Sequence, residues 1–236
     1  MRKRLVRAFG IIGFAVLLML SAWSMHQSDE KTVYIYMTRH GQTEGNTKEL
    51  MIGRYGDSEL TDVGVLQAEK TGEALKGVSF QKAYSSTIER AIDTEKIILA
   101  KSGNSSVERE ELLDLDDISW GDVEGMTQQQ YLEKHNLSEF PEPFGDINDE
   151  KFVSPVGAES KYQFYNRFDR AMEQIVRESD DGAKVLVVAH SSMAFWLNKK
   201  FEDATIDHIE NASITVLKYD HGQWLIEKLN DTTHLR

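Results

Sequence analysis

Arg39 and His40 stand side by side at the end of the apolar run TVYIYMT (32–38), and Gly41 and Asn46 follow within a few positions. A second histidine, His190, closes another apolar run, KVLVVAH (184–190), and Arg90 lies early in the pattern STIERAIDTEKI (86–97). These residue types suit phosphoryl chemistry. A neutral imidazole nitrogen can attack phosphorus, and neighbouring cations favour that neutral form. Guanidinium forks match phosphate oxygens two at a time. His40 is therefore the candidate nucleophile. Arg39, Asn46, Arg90 and His190 are the candidate partners of the phosphoryl oxygens.

Both histidines follow buried-strand patterns, and in open α/β sheets ligands bind at the carboxyl ends of strands. If the two strands are neighbours, both imidazoles enter one crevice. Helical patterns cover 60–75, with Thr61 or Asp62 as cap, and 87–101, with Ile88, Ala91, Ile92, Ile98 and Leu99 inward and Glu95 outward. Short strands are expected at 80–85 and, on an edge, at 106–110. An amphipathic helix is expected over 159–178, a further helix over 191–201, and two strands over 211–220 and 223–230 joined at His221-Gly222. Residues 111–157 hold all three prolines and read as an irregular lid. The alternation predicts an α/β fold, a three-layer α/β/α sandwich with a mostly parallel central sheet. Tyr162, Phe164, Tyr165 and Phe168 read as core, and Arg167 as a surface charge. His26, His135, His208, His221 and His234 read as surface or packing residues.

In this order and spacing the motifs resemble the histidine phosphatase superfamily, the phosphoglycerate mutase-like proteins, over almost the whole chain from residue 32. RHGQTEGN resembles its RHGxTxxN signature, YSSTIERAIDT its second arginine motif, GDVEGMT its G-x-x-EG-x-T segment, GAES a GES element, and VLVVAH the second histidine. The resemblance implies a phosphohistidine on His40, hydrolysed by water, with no metal or other cofactor; Arg39, Asn46, Arg90 and His190 would take the phosphoryl oxygens. It also implies a general acid just before the G-x-x-EG segment. Asp117 stands there, one methylene shorter than the family's usual Glu, with Asp116 and Glu124 as alternatives. Two further departures are Ser191, where a glycine often follows the second histidine, and Ile52, where relatives often carry Gln.

Bulk properties narrow the partners. Net charge is −12; without the four basic groups of the first 24 residues the chain holds 23 basic against 39 acidic residues. Such a surface excludes nucleic acid as a natural partner and points to a small phosphorylated substrate in a local basic pocket. The chain has no cysteine, hence no disulfide, thiolate nucleophile or Cys-ligated metal. Basic MRKRLVR followed by uncharged residues 8–25 has the layout of a signal peptide or single-pass anchor over 1–30. The phosphatase-like domain, 31–236, would then be extracytoplasmic, held to the membrane if the segment is uncleaved.

Three functions fit this reading. The first is a phosphatase for phosphate monoesters. The second is a phosphoglycerate mutase, which must hold a second anionic group, although 111–157 offers only Lys134 and Lys151. The third is an inactive phosphate-binding module at the membrane surface. The Asp114-x-Asp116 pair resembles an Mg²⁺-dependent aspartate nucleophile only weakly, because no buried strand precedes it.

Overall fold

The computed structural model describes residues 30–201 and 204–236. The N-terminal segment expected as a signal or anchor lies outside the described residues, apart from residue 30. Among the described residues no helix is long and apolar enough to cross a membrane.

Six strands form one sheet: β1 (Thr32–Arg39), β2 (Lys82–Ser85), β3 (Glu108–Glu111), β4 (Ala183–Ala189), β5 (Ile214–Asp220) and β6 (Gln223–Asp231). Their order is β3-β2-β4-β1-β5-β6. The pairs β3/β2, β2/β4 and β4/β1 are parallel, whereas β5 runs antiparallel to both β1 and β6. The helices are α1 (Glu44–Thr47), α2 (Asp62–Ala74), α3 (Glu89–Ser102), α4 (Gln128–His135), α5 (Lys161–Glu178) and α6 (Met193–Lys200). The mostly parallel α/β sheet matches the expected class, with its antiparallel pairs confined to one side.

The unbroken apolar run of β4 follows from burial on both faces. Val185 and Val187 pack with Phe164, Phe168, Met172 and Trp196 of α5 and α6. Leu186 and Val188 point the other way, toward Ala68 of α2 and Ala91, Ile98 and Leu99 of α3. Each such side chain contributes about 1.5–3 kcal/mol by leaving water. The helices begin where sequence chemistry satisfies their free N–H groups. Thr61 caps α2, while Ser160 with Gln163 caps α5 reciprocally.

Three expectations change. Glu95 is not outward; it is fully buried on α3 and paired with Arg109 of β3, whose Nε lies 2.6 Å from Oε2. Burial raises its pKa, against the pull of Arg109. Arg167 is not a surface charge but a buried clamp, described below. Residues 111–157 are not wholly irregular, because α4 forms there behind a capping box of Thr127 and Gln130.

Candidate active site

The parallel pairing of β1 with β4 sets Arg39 opposite Ala189, so His40 and His190 leave neighbouring strands at the same end. Their ring centroids lie 5.2 Å apart. Both rings are almost wholly buried, as is Arg90, which enters from the first turn of α3. Parallel register, rather than nearness in sequence, brings the three together.

Hydrogen bonds fix the tautomer of His40. Its Nδ1 lies 2.8 Å from the Gly41 carbonyl, which can only accept, so the proton sits on Nδ1 and Nε2 carries a lone pair. Arg90 Nε donates to that Nε2 at 3.3 Å. Burial first, then Arg90 and Arg39, hold the His40 pKa well below its ordinary value. The same order of causes, burial then Arg90, lowers His190. Both imidazoles are neutral at neutral pH.

The loop after β1 is pinned from several sides. Thr94 Oγ accepts from Gly41 N at 3.0 Å and donates to Arg90 O at 2.7 Å, tying the two motifs. Asn211 Nδ2 donates to His40 O at 2.9 Å and to Asn46 Oδ1 at 3.3 Å. Asn46 Oδ1 also accepts from Thr43 N, which leaves the Asn46 amide nitrogen as the remaining donor at the cavity. Gly41 is required here: a Cβ would come within 2.4 Å of the Gly64 carbonyl oxygen.

Arg39 spends Nη1 on Ile209 O at 2.8 Å and on His208 Nε2 at 3.0 Å. Burial draws its pKa down to about 10, so it stays charged at neutral pH. Its Nε and both ring nitrogens of His190 are buried with no hydrogen-bond partner in the described structure. Buried donors rarely stay unpaired, and an anion's oxygens would satisfy the Arg39 Nε–H and the single N–H of the neutral His190 ring. Arg90 gives Nη1 to Gly56 O (2.9 Å) and Nη2 to Gly53 O and Asp117 Oδ2 (both 3.2 Å).

Of the three acidic candidates, Asp117 alone lines the cavity. Its Oδ2 is 3.6 Å from His190 Nδ1, and its Oδ1 accepts from Ser192 Oγ at 2.6 Å and Ile118 N at 3.0 Å. Asp116 instead turns to Ser86 Oγ and Thr87 N, both 2.8 Å away. Glu124 braces the backbone, accepting from Trp120 N and Tyr55 N. Behind Asp117, Arg167 donates to the carbonyls of Asp114, Asp116 and Asp117 while gripping Glu159 with Nε and Nη2, each at 2.7 Å. The helical pattern cannot reveal such a role, because every partner is distant in sequence. Thr94, Arg167, Ser192, His208 and Asn211 carried no signal for these roles in the sequence.

The cavity holds about 240 Å³. His40, Arg39, Arg90, Asn46 and Asp117 form its polar floor; Leu50, Met51, Ile52, Ile118, Trp120, Phe144 and Phe195 form most of its walls. Ile52 and Ser191 both line it. Among the described residues Arg39 and Arg90 are the only lining cations.

Residues 35–232 match the histidine phosphatase superfamily (branch 1). The chain is 28% identical over 219 residues to a broad-specificity phosphatase of Saccharomyces cerevisiae, covering 88% of this chain and 89% of that protein. It is 29% identical over 207 residues to phosphoglycerate mutase-like protein 4 of Arabidopsis thaliana, covering 85% and 86%. The crystal structure of a phosphoglycerate mutase from Bacillus anthracis superposes with a TM-score of 0.75 at 28% identity, over 89% of this chain and 97% of that one.

Proposed function

Because the chain belongs to the histidine phosphatase superfamily, we propose that it is a metal-independent phosphatase that hydrolyses phosphate monoesters through a phosphohistidine on His40. A phosphate oxygen draws the donors of Arg90 onto itself and frees the Nε2 lone pair that Arg90 now caps. Nε2 forms the N–P bond as the ester P–O bond breaks, and the departing oxygen takes a proton from Asp117. Water then attacks phosphorus and returns a proton to Asp117. The N–P bond breaks, leaving neutral His40 and inorganic phosphate. Arg39 and Arg90 neutralise the oxygens throughout while Asn46 and the neutral His190 donate hydrogen bonds to them, the electrostatic work that dominates phosphoryl transfer.

One observation carries hydrolysis over mutase-type transfer: among the described residues no lining cation remains, once Arg39 and Arg90 serve the phosphoryl group, to hold a second anion. Lys134 and Lys151, the lid lysines, do not line the cavity. The yeast relative, named a broad-specificity phosphatase, supports the same reading. The basic and then apolar N-terminus supports an extracytoplasmic site of action, with the segment as signal or anchor.

The test is turnover of a generic aryl phosphate in EDTA by the purified domain, with trapping of the phosphoryl group. Wild type turns over and forms an acid-labile adduct on His40, while His40→Ala does neither. Full turnover by His40→Ala would sink the mechanism. Loss of activity in EDTA, restored by a divalent metal, would sink its metal independence.

A further inference from the structure

Three aromatic rings form a continuous wall beside the phosphoryl floor. Trp120 and Phe144 meet edge to face with centroids 4.5 Å apart, and Phe144 lies 5.9 Å from Phe195. All three line the catalytic cavity. Phe195 also lines the neighbouring cavity of about 580 Å³, as does Asp207, so the wall runs on past the mouth. A flat apolar group seated on these rings gains hydrophobic burial and ring–ring contact. Close to the phosphoryl floor an anionic group gains little: among the described residues the catalytic cavity offers no cation besides Arg39 and Arg90, and Asp207 adds a carboxylate. Lys161, 5.2 Å from the Phe195 ring centroid and paired with Glu142, and Lys199 line only the outer cavity.

The acid has the same bias. Asp117 has Oδ1 engaged by Ser192 Oγ and Ile118 N and Oδ2 by Arg90 Nη2. An alcohol leaving from phosphorus depends heavily on a proton donor. A phenol, which ionises near pH 10 as tyrosine does, depends on one far less.

We propose that the site selects phosphate monoesters of phenols and similarly flat, apolar alcohols over phosphates of polyols or carboxylate-bearing alcohols. The selection rests on the phosphatase reading above and specifies its leaving group.

Phosphonates test this without the differing reactivity of the esters. Benzylphosphonate, methylphosphonate and phosphonoacetate are compared as competitive inhibitors of aryl phosphate hydrolysis. Benzylphosphonate should inhibit at least roughly tenfold more tightly than methylphosphonate, the scale of discrimination an apolar pocket delivers. Phosphonoacetate should inhibit more weakly than methylphosphonate. In Phe195→Ala the benzyl-to-methyl ratio should fall toward unity. Phe195→Leu, which keeps an apolar side chain in place, should give a smaller fall and serves as the readout if Phe195→Ala does not fold. Equal inhibition by benzyl- and methylphosphonate in wild type, or a ratio untouched by both substitutions, overturns the proposal. Tighter binding of phosphonoacetate overturns it too. If wild type shows neither turnover nor inhibition by any phosphonate, the phosphatase reading fails and this selection falls with it.

Discussion

Ser192 Oγ donates to Asp117 Oδ1 at 2.6 Å, joining the residue two places after the second histidine to the acid on the opposite wall. The bond turns Oδ2 toward Arg90 and His190. A hydrogen bond to a charged group contributes about 1.5–3 kcal/mol. Ser192→Ala should therefore lower kcat by roughly tenfold on an alkyl phosphate, where protonation of the leaving oxygen limits the rate. It should lower kcat much less on an aryl phosphate. Equal losses on both esters would assign the serine a merely structural part.

The two neutral histidines set an acid limit on stability. In the folded chain burial, then the arginines and, for His190, the His40 ring as well, keep both rings unprotonated well below the ordinary histidine range. In the unfolded chain they protonate near pH 6.5. The unfolded state thus binds more protons below that pH, and stability present above it is lost as pH falls. Each ring contributes a slope of about 1.4 kcal/mol per pH unit. Thermal unfolding between pH 7 and 5 should show Tm dropping as pH is lowered. His190→Gln should show a shallower drop, and an identical one would contradict this account.

The same causes shape activity. Arg90 ranks directly after burial in lowering the His40 pKa. Arg90→Gln should raise that pKa toward the ordinary value and move the acidic limb of kcat/KM to higher pH, besides reducing the rate. A pH profile of the residual activity with an unmoved limb would remove Arg90 as a cause of the depressed pKa.

Arg167 holds three backbone carbonyls and a half-buried carboxylate. Arg167→Met leaves the half-buried Glu159 without its cation and three inward carbonyls without their donor, and should cost about 3 kcal/mol, read by urea denaturation. Arg167→Met combined with Glu159→Leu should recover much of that loss. Activity should not return with stability, because the Asp117 carbonyl would still lack its donor.

Gly41→Ala should also be severe. Its Cβ would press on a backbone oxygen of α2 that cannot rotate away. Circular dichroism and turnover should show a shifted loop and a large loss of activity, with the unfolding free energy reduced by about 1–3 kcal/mol.

Legibility in the sequence followed the range of each interaction. Strand β4 was legible because burial on two faces leaves a continuous apolar run, β1 because its half-buried face carries tyrosines that keep the run near-continuously apolar, and the floor because its residues sit in local motifs. Ser192, Thr94, Asn211 and Arg167 were not, since each acts on a partner that only the fold brings near. A helical wheel sets Glu95 among Ala91, Ile92, Ile98 and Leu99; only its charge reads as outward, and its burial makes sense once Arg109 arrives from another element. The α4 signal was present as Thr127-x-x-Gln130 but stood beside a proline-containing stretch that reads as loop.

The edge strand β3 carries Glu108, Arg109, Glu110 and Glu111, and Arg109 folds back onto Glu95. What remains on that border is a row of carboxylates, two of them steadied by Lys82. The same strand of a second copy, approaching to extend the sheet, would bring its own carboxylates against this row. The β3 edge of the sheet thus disfavours strand addition, and neutralising substitutions at Glu108 and Glu111 should cost solubility before they cost catalysis.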